Sequence, residues 1–347
     1  MRFKTLILFS MGAFLILIAC KKKECPLQPS PPSPSELIEN SLHGTTAGMA
    51  YWYSSQNGGF ENISNIPYDN LTCKNCHVES NACNTCHVRE GDVPTNSACL
   101  NCHGRQKTEI LLGYTDVHSS MGFVCAKCHG EEDVHGDGKT YNSMLEGAIL
   151  IKCYDCHTQI ASNTAHNQHL GALDNFEDDE LDCSACHVKS VVTCYNCHFE
   201  SEVNQGQKVA YGRFHSWKFL VKRNGKVHAG NIMSITYQGK AFVALAPFYG
   251  HTIYKPDPST ICDECHNNPI VQEYNLNGTM TAVWWNADSL KLKYFKGVIP
   301  VPQDWRTSLK FSFVTKDDQG NWIHLKDDAD LKQILFAEPL DRLPPQF

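Results

Sequence analysis

The chain has 347 residues, and its 37 Asp and Glu outnumber 30 Lys and Arg to give a formal charge of −7. That balance argues against a nucleic-acid partner and against direct binding to an anionic membrane face. Eighteen cysteines and 17 histidines are the main departure from average composition.

Residues 1–19 read as an export signal. Arg2 and Lys4 precede a fourteen-residue apolar run from Leu6 to Ala19, short of the roughly 20 residues that span a bilayer as a helix. The run closes on Leu17-Ile18-Ala19-Cys20. This looks like a lipoprotein signal, with Cys20 lipidated and left as the first residue of the mature chain. An ordinary cleaved signal peptide and an uncleaved anchor are the alternatives. Loss of Arg2 and Lys4 takes the charge from −7 to −9. Residues 20–40 form a Pro-rich tether. Lys21-Lys22-Lys23-Glu24 is followed by Pro26, Pro29, Pro31, Pro32 and Pro34, a composition that stays extended and buries nothing. Cys25 reads as an inert thiol within the tether, with a surface disulfide as the alternative.

Residues 41–205 carry seven copies of Cys-x-x-Cys-His, and an eighth lies in residues 206–347. The cysteines are Cys73 and Cys76, Cys83 and Cys86, Cys99 and Cys102, Cys125 and Cys128, Cys153 and Cys156, Cys183 and Cys186, Cys194 and Cys197, and Cys262 and Cys265. Their histidines are His77, His87, His103, His129, His157, His187, His198 and His266. This is the covalent attachment signature of c-type haem, in which both thiols become thioethers and the histidine is the proximal iron ligand. Eight such sites would carry eight covalently bound haems. Paired CxxC also builds zinc sites, and a disulfide scaffold is a third reading. Neither needs His after every second Cys.

The stretch from 41 to 205 is poor in apolar residues and shows little periodicity. A core must then come from the flat apolar faces of the haems, with short helical turns at each motif. Motif starts are 10, 16, 26, 28, 30, 11 and 68 residues apart. The shortest gaps predict close neighbours at Cys73/Cys83 and at Cys183/Cys194.

Residues 206–347 alternate and turn like strands. Trp217–Arg223 runs into Asn224-Gly225, a hairpin signal. Ile232–Tyr237 and Ala241–Ala246 flank Gln238-Gly239-Lys240, and Leu309–Thr315 and Asn321–Leu325 flank another turn. A helix is expected over Ala329–Phe336. Trp284, Trp285, Tyr294, Phe295, Trp305 and Trp322 form either a sheet core or an aromatic binding face.

Nine histidines lie outside the motifs. His43, His118, His135, His166, His169, His215 and His251 are the favoured distal ligands. His166 and His169 are three apart, so one helix face would present both. The eighth ligand falls to His228 or His324, and His228 is the working choice. Otherwise one iron is five-coordinate or takes Met49, Met121, Met144 or Met233. Two histidines close an iron for electron transfer, whereas an open iron binds substrate.

The repeated CxxCH, the phrases His118-x9-Cys128-His129-Gly130 and Asp133-Val134-His135-Gly136-Asp137-Gly138, and the lipoprotein start resemble bacterial multihaem (octahaem) cytochromes c over about residues 41–270. The resemblance implies a loop-rich fold with short helices around packed haems, here followed by a β-rich C-terminal part. It implies electron transport in an extracytoplasmic respiratory chain, without catalytic residues. Some octahaem relatives are reductases or dehydrogenases of small nitrogen or sulfur compounds, so one open haem is the alternative. No CxxCK, common in nitrite reductases, occurs here. A docking role for the β-rich part is compatible with electron transfer. Expected partners are redox proteins or an extracellular electron acceptor, with the membrane reached through the lipid on the periplasmic side or cell surface. Lys21 after Cys20 favours the outer membrane by analogy with lipoprotein sorting. The acidic charge would suit a basic or cationic partner, or serve only solubility.

Overall fold

The computed structural model describes residues 31–72, 83–89, 91–160, 162–170 and 180–347. The signal, Cys20, Cys25 and the first motif from Cys73 to His77 lie outside them. Among the described residues, no helix is long and apolar enough to cross a membrane.

Two sheets dominate the C-terminal half. The first has the order β10-β4-β3-β1-β2-β7. Its strands are β1 (Val191–His198), β2 (Val209–Arg223), β3 (Lys226–Tyr237), β4 (Lys240–Pro247), β7 (Gly297–Pro300) and β10 (Leu331–Ile334). The second, β6-β5-β8-β9, takes β5 (Met280–Asn286), β6 (Lys291–Tyr294), β8 (Leu309–Lys316) and β9 (Trp322–Asp327). The hairpins form where Asn224-Gly225 and Gln238-Gly239 place two consecutive residues at positive φ, as a two-residue turn matched to strand twist demands. Val191, Tyr195, Phe214, Trp217, Phe219, Phe311 and Phe313 bury themselves in a core shared by both sheets.

Four features depart from the sequence reading, the first being that Pro34–Ile38, inside the stretch read as an extended tether, is a short helix capped by Ser33. Ala329–Phe336 is not a helix: Leu331–Ile334 is a strand, pairing in parallel with Phe242–Leu245 of β4. Backbone pairing beside a buried strand outweighs a weak local preference. The sheet also begins before residue 206. β1 inserts between β2 and β3 where their hairpin splays, antiparallel to β2 and parallel to β3. Finally, Phe60, Ile63, Tyr68 and Leu71 pack against Phe199, Tyr237 and Phe242, so an early segment completes the outside of the first sheet. Of the aromatic cluster, Trp305 is buried, Trp285, Tyr294, Phe295 and Trp322 pack at the core edge, and Trp284 is exposed.

From 83 to 170 the described chain is short helices and turns. The helices Asn96–Cys102, Gly104–Leu111, Cys125–Cys128 and Thr164–His169 are typical.

Candidate metal centres

Six of the seven described motifs close as a single helical turn. The histidine N–H donates to the first cysteine carbonyl in His87→Cys83 (2.8 Å), His103→Cys99 (2.9 Å), His129→Cys125 (3.0 Å), His157→Cys153 (2.9 Å) and His266→Cys262 (2.8 Å). The sixth motif is the helix Cys183–His187. Positions i, i+3 and i+4 of such a turn share a face, so both thiols and the imidazole address one group.

Opposite each of these six imidazoles stands one histidine from outside the motifs. The ring centres are 6.1 Å apart for His103 and His43, 6.0 Å for His87 and His135, and 6.0 Å for His157 and His118. They are 6.0 Å apart for His129 and His251, 6.2 Å for His187 and His166, and 5.8 Å for His266 and His169. Two imidazoles on opposite sides of one iron, each bonded at about 2.0 Å with about 1.1 Å from nitrogen to ring centre, have centres about 6.2 Å apart.

The outward nitrogens carry the supporting hydrogen bonds. Nδ1 of His43 faces the Val134 carbonyl at 3.1 Å, His87 that of Asp92 at 2.5 Å, His187 that of Tyr254 at 3.1 Å and His266 that of Pro345 at 2.8 Å. His129 Nδ1 faces Asp133 Oδ2 at 3.2 Å. An acceptor at Nδ1 keeps Nε2 free as the ligating atom. Burial, then the facing imidazole, lowers the pKa of His43, His169 and His251. The shift favours the neutral imidazole, the form that binds metal.

The motifs form a connected series. Cys86 is pushed up by burial and then by Cys102, and Cys128 by burial and then by Cys156. The Cys99 thiol is within hydrogen-bond reach of Cys125, and that of Cys153 within reach of Cys183. Cys265 is pushed up to about 12 by burial and then by Cys186. The order is therefore Cys83, Cys99, Cys125, Cys153, Cys183, Cys262 by first cysteine.

Several assignments follow that spacing did not reach. His118 and His135 flank the fourth motif in sequence but face the fifth and second. His251, near the last motif in sequence, faces the fourth. His166 and His169 divide between the sixth and eighth. The Cys183 motif meets the fifth and eighth motifs. The seventh lies on an extended strand, where eleven residues cover far more ground than in a helix.

Three spare histidines do not face an imidazole among the described residues. His215 Nδ1 lies 3.0 Å from both Tyr114 Oη and Ser216 Oγ. His228 is buried with Nδ1 3.4 Å from Asp182 Oδ1. His324 Nε2 lies 3.1 Å from Asp327 Oδ1, its ring stacked on Trp285. Met49 and Met233 pack in the cluster around Phe60, and Met121 is exposed.

Lys218 escaped the sequence reading. It is buried, with Nζ donating to Val188 O at 2.8 Å and Cys186 O at 3.3 Å. Its one signal is a lysine inside the apolar run Trp217–Val221.

Residues 117–209 match the family model described as cytochrome c3. No curated protein and no solved structure matches the chain. The matched span contains the motifs from Cys125, Cys153, Cys183 and Cys194, so this region is similar to multihaem cytochromes that carry covalently bound c-type haem. The residues fit that group. Attachment turns and facing imidazoles coincide at six motifs, and Val88, Ile110, Leu111, Met121 and Val124 present apolar surface nearby. Among the described residues, no group of three or more His, Cys, Asp and Glu converges as a bare metal site would require.

Proposed function

We propose that the chain is an octahaem c-type cytochrome that conducts electrons outside the cytoplasm, anchored in a membrane through lipidated Cys20. The six facing imidazole pairs carry this reading. They support closed bis-histidine irons at the second to sixth and eighth motifs, and the cysteine proximities support an electron path in the order given above. When bound, haem supplies the one-electron chemistry. The protein would attach each haem through two thiols, and in five of the six pairs it holds one imidazole by an acceptor at Nδ1. The acidic surface suits a basic redox protein or a cationic extracellular acceptor, and Lys21 favours the outer membrane.

Intact mass and pyridine haemochrome analysis of the mature protein should give eight haems, and electron paramagnetic resonance should integrate to at least six low-spin irons. Zinc in place of iron, or fewer than six low-spin centres, would overturn the reading. Cys20→Ala should release the protein from membranes; unchanged fractionation and migration would remove the lipid anchor from it.

A further inference from the structure

The seventh motif is built differently from the six that share one plan. Cys194-Tyr195-Asn196-Cys197-His198 is not a helical turn but part of β1, in register with Arg213 through Val209 of β2. Tyr195 and Asn196 are fully buried. Tyr195 Oη donates to Ser312 O at 3.0 Å, and Asn196 exchanges two 2.9 Å hydrogen bonds with the Val314 backbone. These contacts fix the strand to the second sheet, while Cys194 stays exposed and Cys197 half-exposed. Asn196 has φ 53°, which breaks the alternation that would send i and i+3 to opposite faces.

The surroundings of His198 differ too. Its ring meets Trp322 edge-on with centres 6.0 Å apart. Its Nε2 lies 3.3 Å from Glu200 Oε2, whereas His87, His129, His187 and His266 meet their acceptors at Nδ1. The spare histidines are poorly placed to replace Trp322. His215 is six residues along β2 from Val209, the residue opposite His198. That is about 20 Å in a strand, whereas two imidazoles on one iron keep their Cα atoms within about 13 Å. His228 lies eight residues along β3 from Thr236, the other neighbour of His198, and is further away still. His324 is nearer, but Asp327 and Trp285 already hold it.

Resting on the multihaem reading, we infer that the haem carried by Cys194 and Cys197 has no second imidazole and that, among the described motifs, its iron is the exchangeable, ligand-accepting centre. The ligand class is a small anion. Arg213 stands directly across from Cys194 in the sheet. Arg105, its guanidinium 4.6 Å from the centre of the Phe248 ring, is close enough to feel Cys194.

The test uses the mature haem-loaded protein. Azide added to the ferric form should shift one high-spin signal, and carbon monoxide added to the ferrous form should bind at one equivalent per chain. In Cys194→Ala/Cys197→Ala, one haem should disappear by mass together with both responses, leaving the low-spin signals intact. In the control Cys183→Ala/Cys186→Ala, a low-spin haem should go and carbon monoxide binding should remain. The inference fails if the unmutated protein binds neither probe. It also fails if binding survives in the Cys194/Cys197 variant, which would move the open iron elsewhere, or if mass shows an unloaded seventh motif. A seventh haem that is low-spin and becomes high-spin in His324→Ala would overturn it as well. None of these failures touches the six imidazole pairs, which stand or fall on the low-spin count.

Discussion

The stretch from 83 to 170 and the paired sheets after 190 solve the burial problem in different ways. Among the described residues of the first, Leu145 is the buried apolar side chain, while Val88, Val93, Ile110, Leu111 and Met121 are exposed. Its hydrogen bonds are mostly local turns and caps. The second buries Trp217, Phe219, Phe242, Phe311 and Trp305 almost completely. One chain therefore combines a region whose polypeptide makes little core with one whose polypeptide makes a complete core. The motifs from Cys83, Cys99, Cys125 and Cys153 lie in the first, and the second carries the motifs from Cys194 and Cys262 together with His251.

The largest test of that contrast is to withhold haem. Chain expressed without haem attachment should show unprotected amides from 95 to 169 in hydrogen exchange, while β2, β3 and β8 stay protected. Protected amides across 95–135 in haem-free protein would erase the distinction. The converse is Trp217→Ala, which should cost about 3–5 kcal/mol from the sheet core, read by chemical denaturation of the loaded protein. The low-spin spectrum of the Cys83 to Cys125 haems should be unchanged at low denaturant.

Smaller effects address the ligand assignments. His166→Ala and His169→Ala should each convert one low-spin iron to high-spin, and the double variant two, because neighbouring positions on one helix face different proximal rings. A shared iron would leave the double variant no worse than one single variant. Lys218→Met should lower the reduction potential of the Cys183/Cys186 haem, on the order of tens of millivolts, because a buried cation favours the reduced iron. Potentiometry resolving one shifted component checks this.

The smallest effect concerns Glu109, which is almost completely buried. Burial raises its pKa to about 7, only partly opposed by Arg105 and the His251 backbone N–H. A raised folded-state pKa means its contribution to stability is full below the unfolded value near 4.5 and is lost as pH rises through about 7. Glu109→Gln should therefore flatten the fall in melting temperature between pH 5 and 8, gaining relative to the parent only at the upper end.

Attachment chemistry was legible because it is local: two thiols and an imidazole within five residues name their own ligand. The hairpins at Asn224-Gly225 and Gln238-Gly239 were legible for the same reason, since each turn carries its own backbone requirement. Leu331–Ile334 was not, because its partner β4 lies far away in sequence. The seventh motif looked like its siblings in sequence. Its place in β1, the burial of Tyr195 and Asn196 against Ser312 and Val314, and the approach of Trp322 to His198 distinguish it.

The sequence by itself pointed to the kind of cofactor, carried eight copies of its attachment signature and held nine histidines outside them. Tertiary structure decided which histidine meets which: His43 with His103, His129 with His251, His169 with His266, pairs separated by 60, 122 and 97 residues. A covalent attachment is written in a few adjacent side chains, whereas a second axial ligand needs only to arrive in space, and the route by which the chain brings it there leaves no local mark.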